Sequence, residues 1–555
     1  MRKKIKLVPI ISVIFSLLQA IGLYLYQYNS FSIIGESYLW MKFVAFFLCS
    51  YVLICCCLYG FRFFYLKIVT SYINRKSNVE KQVNDKRVCV ITFFIISLCW
   101  APWLIAFYPG SVYWDMTYQL EQYYGYLALQ FHPPFSTLIA GKCVDLGKLL
   151  FGFDNRGIFI YTMLQFFVCA AACTASVKEL VRMNIPRWVV YVAISFYSAF
   201  PFFGATVQCV MKDTVNYGLT LLAYVMILRL YNNISETQSF KKTNVLLFST
   251  FSLLSCLYRK EMIYVFLLVL VALGIYAYIK SSKIRTLLIL IPVLVLVLLS
   301  GTITNKTIAR GYFGQEFFAG SSEGLSIPLQ FVARVAKYHD DTLSEEEKMI
   351  IGECFPFGYE GVSQSYNPYL SDPIKNSFNN TKAKENGFWE LYWKLLKKNP
   401  FVFLESICAG GYGYFSIVPN VPTTVDDAPT NGLPGGRIPS LYINIGVAGE
   451  YGNLNISFHD STSEFRNFLG NYILAFQLPY NLLYSFGFYT WVVILLVCMV
   501  MRKSNIFAVI PFIPIILLIA VCVMSPVNDY GRYYMGIIFA IPLLAGYSLE
   551  LLINK

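Results

Sequence analysis

The stretch FHPPFSTLIAGKCVDLGKLLFG, residues 131–152, decides how this chain is threaded, because it is apolar enough to resemble a membrane-spanning helix. If it crossed a bilayer, the later loop KELVRMNIPR (178–187) would lie outside, although loops rich in Lys and Arg remain on the cytoplasmic side. The stretch also carries Lys142, Asp145 and Lys148, which are costly inside a membrane. We therefore predict an amphipathic helix that lies in the outer membrane interface.

The composition predicts many membrane segments around this one. Of the 555 residues, 57% are hydrophobic and only 14% are charged, whereas soluble domains are typically about 25% charged. This balance predicts an integral membrane protein whose constant partner is the lipid bilayer. The net charge of +13 does not indicate nucleic-acid binding, because the basic residues cluster in short loops, as the orientation of membrane helices requires.

The basic start MRKKIK and the basic loop at 62–87, which follows two predicted crossings, place the N terminus in the cytoplasm. We find no clear small-residue cleavage site after the first apolar run, so we predict a retained first helix. With residues 131–152 in the interface, the C terminus is also cytoplasmic. The prediction is a mainly α-helical polytopic bundle of about twelve helices, at residues 7–26, 38–60, 88–107, 156–178, 186–202, 212–230, 244–258, 261–279, 285–302, 475–500, 505–524 and 533–552.

A long polar segment, rich in Gly, Pro and Asn, interrupts the helices after the ninth, and the threading places it outside. ENGFWELYWKLLKK (385–398) predicts a helix, whereas SLYINIGV (440–447) and NLNISF (453–458) alternate as strands do. We therefore predict three parts: an N-terminal transmembrane bundle at 1–302 with an outer loop at 108–155, a mixed α/β extracytoplasmic domain at 303–474, and C-terminal transmembrane helices at 475–555.

Several features of the outer domain have more than one reading. The apolar stretch 400–419 would move the basic MRKS (501–504) outside if it crossed, so we predict a docked or interfacial segment. The sequence YHDD (338–341) fits a solvated helix end better than a metal site, and His459-Asp460 is interpreted in the same way. Whether Cys354 and Cys408 form a disulfide stays open.

Charged side chains gather at the predicted outer helix ends, where membrane orientation does not require them. Charges at membrane depth usually face a cavity or a partner, which makes these residues functional candidates. YPGSVYWDMTYQ (108–119) places Asp115 just after the third helix. An outward carboxylate there can act as a base that activates a hydroxyl or amine, and basic side chains can bind phosphate. The other members of this outer group are His132, Lys212, Asp213, Arg259, Lys260, Glu261, Asp529 and Arg532.

Asp115, Gln119 and Gln122 follow the spacing i, i+4, i+7, which places a carboxylate and two amides on one helix face. We select Asp115 as the candidate catalytic base and the two glutamines as candidate substrate contacts. The same pattern fits a solvated interfacial helix. Likewise, basic residues near helix ends can snorkel to the interface, and pairs such as Lys212 and Asp213 can simply neutralise each other.

The order of these features is similar to that of the GT-C superfamily of polytopic glycosyltransferases. There, as in YPGSVYWD (108–115), an early helix ends outside and an acidic residue follows. The stretch 131–152 resembles the HPPL segment of protein O-mannosyltransferases and the KPPL segment of lipid A aminoarabinose transferases, which precede an interfacial helix. RGIFIYTMLQFFVCAAACTASVKELVR (156–182) is similar to their next helix, and SPVNDYGRYYMG (525–536) resembles an Arg-Tyr pair in related bacterial membrane proteins. The whole chain looks most like an uncharacterised bacterial family of this kind.

This resemblance implies a polyprenyl-phosphate sugar donor and assigns Asp115 the place of the first-loop catalytic acid, which activates the acceptor or organises the site. The superfamily often has an Asp-Glu pair there, whereas Met116 follows Asp115; the base and any divalent metal therefore stay open, and no other cofactor is predicted. His132 is a candidate contact for acceptor or phosphate, although HPP also suits a turn. Phosphate binding by the other candidates rests on topology and charge alone: Lys212, Arg259, Lys260 and Arg532.

The leading hypothesis is a multi-pass glycosyltransferase of the bacterial plasma membrane. It would move a sugar from the lipid carrier to a cell-envelope acceptor, namely a polymer, a lipid or a protein, which the outer domain helps to select. A transporter or flippase of lipid-linked saccharide is the alternative, although such proteins usually show internal repeats and polar sites near the membrane midplane. A third reading is a non-enzymatic envelope-assembly scaffold, for which the Asp115 carboxylate would be dispensable.

Overall fold

The computed structural model describes residues 7–30, 40–56, 59, 85–281, 290–317, 323–417, 449–451, 454–456, 460–476 and 479–553. Most of the predicted basic loop at 62–87, the predicted strand at 440–447 and His459 lie outside these residues. Helices dominate the described chain, and its sheet structure consists of two pairs of short strands.

The first half of the chain contains eleven described helices and one strand pair. These elements are α1 (Leu7–Tyr28), α2 (Trp40–Cys56), α3 (Asp85–Ala106), β1 (Ser111–Val112), α4 (Trp114–Tyr123), α5 (Pro134–Phe151), α6 (Asp154–Arg182), α7 (Arg187–Ala199), α8 (Pro201–Gln208), β2 (Cys209–Val210), α9 (Lys212–Thr237), α10 (Lys242–Tyr258) and α11 (Met262–Ser281).

The second half continues with the outer part and the C-terminal helices. Its described elements are α12 (Ile291–Thr302), a π-helix (Ile303–Arg310), α13 (Ser326–Tyr338), α14 (Glu345–Glu353), α15 (Gly358–Ser365), α16 (Asp372–Lys375), α17 (Asn380–Glu385), α18 (Phe388–Lys398), α19 (Pro400–Gly411), β3 (Gly449–Tyr451), β4 (Leu454–Ile456), α20 (Ser463–Leu474), α21 (Phe486–Lys503), a 3₁₀ helix (Ile506–Phe512), α22 (Ile513–Val523) and α23 (Gly531–Ile553).

Within the described residues, nine helical segments are long and apolar enough to cross a membrane. The bent pair α7–α8, which turns by 43°, makes a tenth if it is one span. The chain is therefore a mainly α-helical polytopic bundle, while the count of twelve crossings stays a prediction. The predicted helix at 475–500 begins later, at Phe486, because Ser485 caps it by accepting a hydrogen bond from the amide of Phe488.

The helix α5 begins and ends at the same end of the bundle. Thr162, in the third turn of α6, donates to the carbonyl of Pro109 just beyond α3, at 2.8 Å. The start of α6 therefore lies beside the end of α3, and Gly157 of α6 packs against Val144 of α5. Since α5 folds back along α6 and is not one of the nine candidate spans, the structure agrees with the prediction that 131–152 does not cross.

A short parallel strand pair ties the first outer loop to the start of α9. Ser111 pairs with Cys209, and Val112 pairs with Val210. Gly110 makes this approach possible: its φ is +127°, and a Cβ there would meet Thr162 Oγ1 at 2.5 Å. The pair places Asp115, three residues after β1, beside Lys212, the first residue of α9.

Residues 303–474, which are predicted to lie outside, are more helical than predicted. Helices α13 to α18 enclose their own apolar core, which includes Phe331, Ile351 and Leu395. The strand prediction at 453–458 is confirmed at β4, which forms an antiparallel hairpin with β3. The hairpin packs against α6 and α4 and not on this helical core. The mixed α/β domain at 303–474 stays a prediction beyond that.

The segment predicted at 400–419 docks on the bundle as a short helix. Gln19 of α1 donates to the carbonyl of Ile417 at 2.6 Å, and Tyr414 donates to the carbonyl of Val527 at 2.8 Å. With only twelve residues, α19 is too short to span a bilayer. Cys354 and Cys408 are both free thiols.

Candidate functional site

Charged residues from five parts of the chain meet at the end of the bundle where α3 ends. They come from α4, from the loop before α5, from the start of α9, from the turn after α10 and from the start of α23. We call this group the Asp115 cluster, and its members are Asp115, His132, Lys212, Asp213, Arg259, Glu261 and Arg532.

The carboxylate of Asp115 is shared by two cations. Lys212 donates from its ammonium group to Oδ2, while Arg532 Nη1 lies 2.7 Å from Oδ1. Burial disfavours the charged carboxylate, but the fields of Arg532 and Lys212 outweigh it and hold the pKa of Asp115 well below its ordinary value. Because the Asp115 side chain is 15% exposed, the ionised carboxylate is largely buried but keeps some contact with the exterior.

His132 acts as an acceptor in this cluster. Its Nδ1 lies 3.1 Å from Lys212 Nζ and 3.5 Å from Asp115 Oδ2. A lysine ammonium can only donate, so Nδ1 accepts and the ring hydrogen belongs on Nε2. Burial, reinforced by the charge of Lys212, lowers the pKa of His132 to about 3. The contact with Asp115 is therefore not an ion pair at neutral pH.

A second carboxylate, that of Asp213, is buried more deeply than that of Asp115. Asp213 is only 1% exposed, and its Oδ1 lies 3.2 Å from Arg259 Nη1 while its Oδ2 lies 3.5 Å from Arg532 Nε. Arg259 also reaches Glu261 at 3.3 Å. Arg532 thus stands between two carboxylates, Asp115 and Asp213, and links the two halves of the cluster.

Aromatic rings surround the two arginines. The guanidinium carbons of Arg259 and Arg532 lie 5.8 and 5.2 Å from the centroid of the same ring, that of Tyr533. Arg532 also lies 5.5 Å from the ring of Tyr113. Such contacts favour cations, so the rings stabilise positive charge that the partly buried site would otherwise disfavour.

Most of this cluster lies inside a recognised family region. The model of a family of unknown function, DUF6020, matches residues 125–548. The chain belongs to the DUF6020 family. No curated protein and no solved structure matches it.

The DUF6020 match contains every member of the cluster except Asp115, which precedes it by ten residues. In this DUF6020 protein the predicted candidates His132, Lys212, Arg259 and Arg532 all join the cluster. Lys260 lies next to it, with its ammonium 4.4 Å from the ring of Phe317. The prediction that these distant charges gather in one place is therefore what the structure shows, while their roles stay predictions.

The two glutamines do not present their amides to the exterior. Gln119 is fully buried and donates to the hydroxyls of Ser136 and Thr137, at 2.6 and 3.0 Å. Gln122 donates to the carbonyl of Gln130 at 2.9 Å. In the structure, Gln119 fastens α4 to the start of α5 and Gln122 fastens it to the loop before α5, while substrate contacts by the two side chains stay a prediction.

The sequence alone assigns no specific role to Asp213 or Tyr533. Asp213 was recognised as an outer charge, but its neighbour Lys212 offered a ready partner; only the fold shows that it serves two arginines instead. Tyr533 stands next to Arg532 in the GRYY sequence, yet nothing in that pattern indicates contact with Arg259. Asp529 has a positive φ of +54° and lies against Gly413.

The arrangement suits anion chemistry more than metal chemistry. In the described part of the DUF6020 chain, no group of three or more His, Cys, Asp or Glu side chains is placed to hold a metal ion. The YHDD residue Asp340 instead accepts from Lys348 at 3.1 Å. Three cations, each paired with a carboxylate, can exchange that partner for a phosphate of similar charge and geometry.

Proposed function

We propose that this protein is a membrane glycosyltransferase that moves a sugar from a polyprenyl-phosphate carrier to an acceptor at the outer face of the bacterial plasma membrane. The observation that carries the proposal is the partly exposed Asp115 carboxylate held by Lys212 and Arg532 at one end of the bundle. The orientation, with both termini cytoplasmic, follows from the basic loops at the opposite end of the helices.

The donor phosphate is expected to compete with Asp115 for its cations. Lys212 and Arg532 suit a phosphate oxygen as well as a carboxylate oxygen, and Arg259 and Lys260 lie close enough to add positive charge. When the phosphate engages these cations, the field that lowers the pKa of Asp115 weakens. The carboxylate then becomes a stronger base at the moment when the donor is bound.

The proposed step transfers one glycosyl group. A hydroxyl or amine of the acceptor attacks the anomeric carbon, and its proton passes to Asp115. The bond between that carbon and the phosphate oxygen breaks, and the polyprenyl phosphate leaves with the electron pair. Lys212 and Arg532 stabilise the added negative charge on the departing phosphate.

The test uses membranes that contain the full-length protein and labelled polyprenyl-phosphate sugars. We expect Asp115→Asn to lower transfer by about 10²- to 10⁴-fold with unchanged protein level. Asp340→Asn is the matched control, because Asp340 also pairs with a lysine but lies in the outer part, away from the cluster. Undiminished transfer in Asp115→Asn would remove this residue from the reaction.

The same preparation separates the alternatives. A transporter would move the labelled lipid between leaflets without forming a new glycosidic bond. A scaffold would show neither transfer nor movement, and its Asp115→Asn variant would support envelope assembly normally. Either result would replace the proposed function.

A further inference from the structure

We propose that Asp213 is a positioning residue that holds the guanidinium groups of Arg259 and Arg532 side by side as a binding pair for the donor phosphate. The identity of that ligand rests on the proposed function. The arrangement itself rests on the contacts of Asp213, which differ from those of every other acid in the cluster.

Asp213 acts through the arginines because it cannot reach a substrate. It is 1% exposed, and its two carboxylate oxygens face different partners: Oδ1 lies 3.2 Å from Arg259 Nη1 and Oδ2 lies 3.5 Å from Arg532 Nε. As the second residue of α9, it also lies at a helix amino end, where negative charge is favoured. A carboxylate fixed in this way can orient two neighbouring cations.

The two guanidinium groups need such an anion. The guanidinium carbons of both lie within 6 Å of the centroid of the Tyr533 ring. Two positive charges that share one ring repel each other. Each has an outer acid partner as well, Glu261 for Arg259 and Asp115 for Arg532. Among the described residues, Asp213 is the only acid that pairs with both arginines, so it is their shared counter-ion.

One contact in this arrangement is incomplete. Asp213 Oδ2 and Arg532 Nε are both buried and have no hydrogen-bond partner among the described residues, although they lie 3.5 Å apart. Arg532 instead uses Nη1 to hold Asp115. A small rotation of the planar guanidinium would complete the bond to Asp213 and release Asp115. A phosphate that binds the two arginines would favour this second position.

The test measures binding and not transfer. Full-length protein in detergent is titrated with farnesyl phosphate and with farnesol, its uncharged analogue, by calorimetry. The variants are Asp213→Asn, Asp213→Glu and, as a control, Asp340→Asn. Gel filtration and the apparent melting temperature report whether each variant is folded.

The two possible roles of Asp213, positioning the arginines or only adding negative charge, predict opposite changes in farnesyl phosphate binding. If Asp213 only contributes charge, Asp213→Asn makes the site more positive and binds farnesyl phosphate more tightly, while Asp213→Glu is unchanged. If it positions the arginines, both variants bind farnesyl phosphate more weakly, by about tenfold or more, as for the loss of a hydrogen bond to a charged group. Farnesol binding and the control remain unchanged.

Each outcome has a distinct meaning. Tighter or equal binding by Asp213→Asn overturns the positioning role, and so does unchanged binding by Asp213→Glu if the Asn variant does not fold. A wild-type protein that binds farnesyl phosphate no better than farnesol contradicts the proposed lipid-phosphate ligand instead. In the background of Arg259→Lys and Arg532→Lys, Asp213→Asn should have less effect than in the wild type, because the partners it orients are gone.

Discussion

Arg532 Nη1 lies 2.7 Å from Asp115 Oδ1, so the last described helix and the first outer loop share one ion pair. The same guanidinium approaches Asp213 through Nε, at 3.5 Å. A side chain that contacts two carboxylates through different nitrogens has a defined orientation.

Arg532→Lys should impair the protein although it conserves charge. A lysine offers one compact ammonium group and cannot contact both carboxylates in the geometry of a guanidinium. We expect labelled-sugar transfer to fall by about 10- to 100-fold, the equivalent of one or two charge-assisted hydrogen bonds. Arg310→Lys is the control, because Arg310 forms an exposed pair with Glu316; equal activity of both variants would contradict the prediction.

His132 should make stability depend on pH. Its pKa falls from an ordinary 6.5 to about 3 in the folded protein. Between these two pH values, the imidazole is therefore protonated in the unfolded chain and neutral in the folded protein. The contribution to stability is complete above pH 6.5 and is lost as the pH falls towards 3. We expect the apparent melting temperature in detergent to fall between pH 7 and pH 5, and to fall less in His132→Gln.

That pH window isolates His132 from Asp115. The pKa of Asp115 is held well below the ordinary 3.8, so its contribution to stability begins to be lost only near or below pH 3.8. If His132→Gln loses as much stability between pH 7 and pH 5 as the wild type does, the neutral acceptor role of His132 is wrong.

Gly110→Ala should destabilise the protein at the strand pair that positions Asp115. The backbone φ of +127° is strained for alanine, and the new Cβ would meet Thr162 Oγ1 and Val210 Cγ2 at 2.5 Å. We expect a loss of about 3 kcal/mol or more, from strain and overpacking together. Gly125→Ala is the control: its φ is also positive, at +81°, but nothing lies within 4 Å, so strain of about 1–2 kcal/mol remains.

Arg334→Met should loosen the outer part from the first helix. Arg334 is fully buried; it contacts Glu405 at 3.0 Å and Tyr366 at 2.8 Å, and it also donates to the backbone carbonyl of Asn29. Removing the cation leaves a buried carboxylate unpaired, which costs about 3–5 kcal/mol. We expect faster limited proteolysis of residues 326–411 than in the wild type, whereas Arg310→Met, at an exposed ion pair, should be cut no faster.

The predicted membrane topology can be tested by thiol labelling of intact cells. A cysteine in place of Lys148, at the exposed end of α5, should react with a membrane-impermeant maleimide, whereas a cysteine in place of Lys178 should react only after the cells are opened. The unsubstituted protein measures the background from its own fifteen cysteines. Labelling from outside at the Lys178 position but not at the Lys148 position would mean that α5 crosses the membrane.

Much of the helical arrangement could be predicted from the chain, since apolar length and short basic loops are local signals. The helix at 244–258 was predicted within two residues of α10, and residues 131–152 were placed outside the set of crossing helices before any contact was known. Boundaries failed where short-range signals competed, as at Ser485, whose cap starts α21 eleven residues after the predicted start at 475.

The sequence predicts which residues form the site but not which of them contact each other. Charge at outer helix ends selected Asp115, His132, Lys212, Arg259 and Arg532, and the structure brings them together. Helical periodicity shows that Gln119 and Gln122 share a face with Asp115 but not whether that face is packed or open, and in the structure both glutamines are buried. The charge pattern includes Asp213 among the outer charges but gives it no specific role, because the burial of Asp213 depends on neighbours from other helices.

The sequence by itself determined that the chain is a membrane-spanning helical bundle and that unexpected charges lie at one end of it, because hydrophobic length and loop charge act within short segments. The tertiary structure alone decided which cation meets which carboxylate. That choice depends on distances between side chains hundreds of residues apart, which the β1–β2 pairing and the packing around α9 fix.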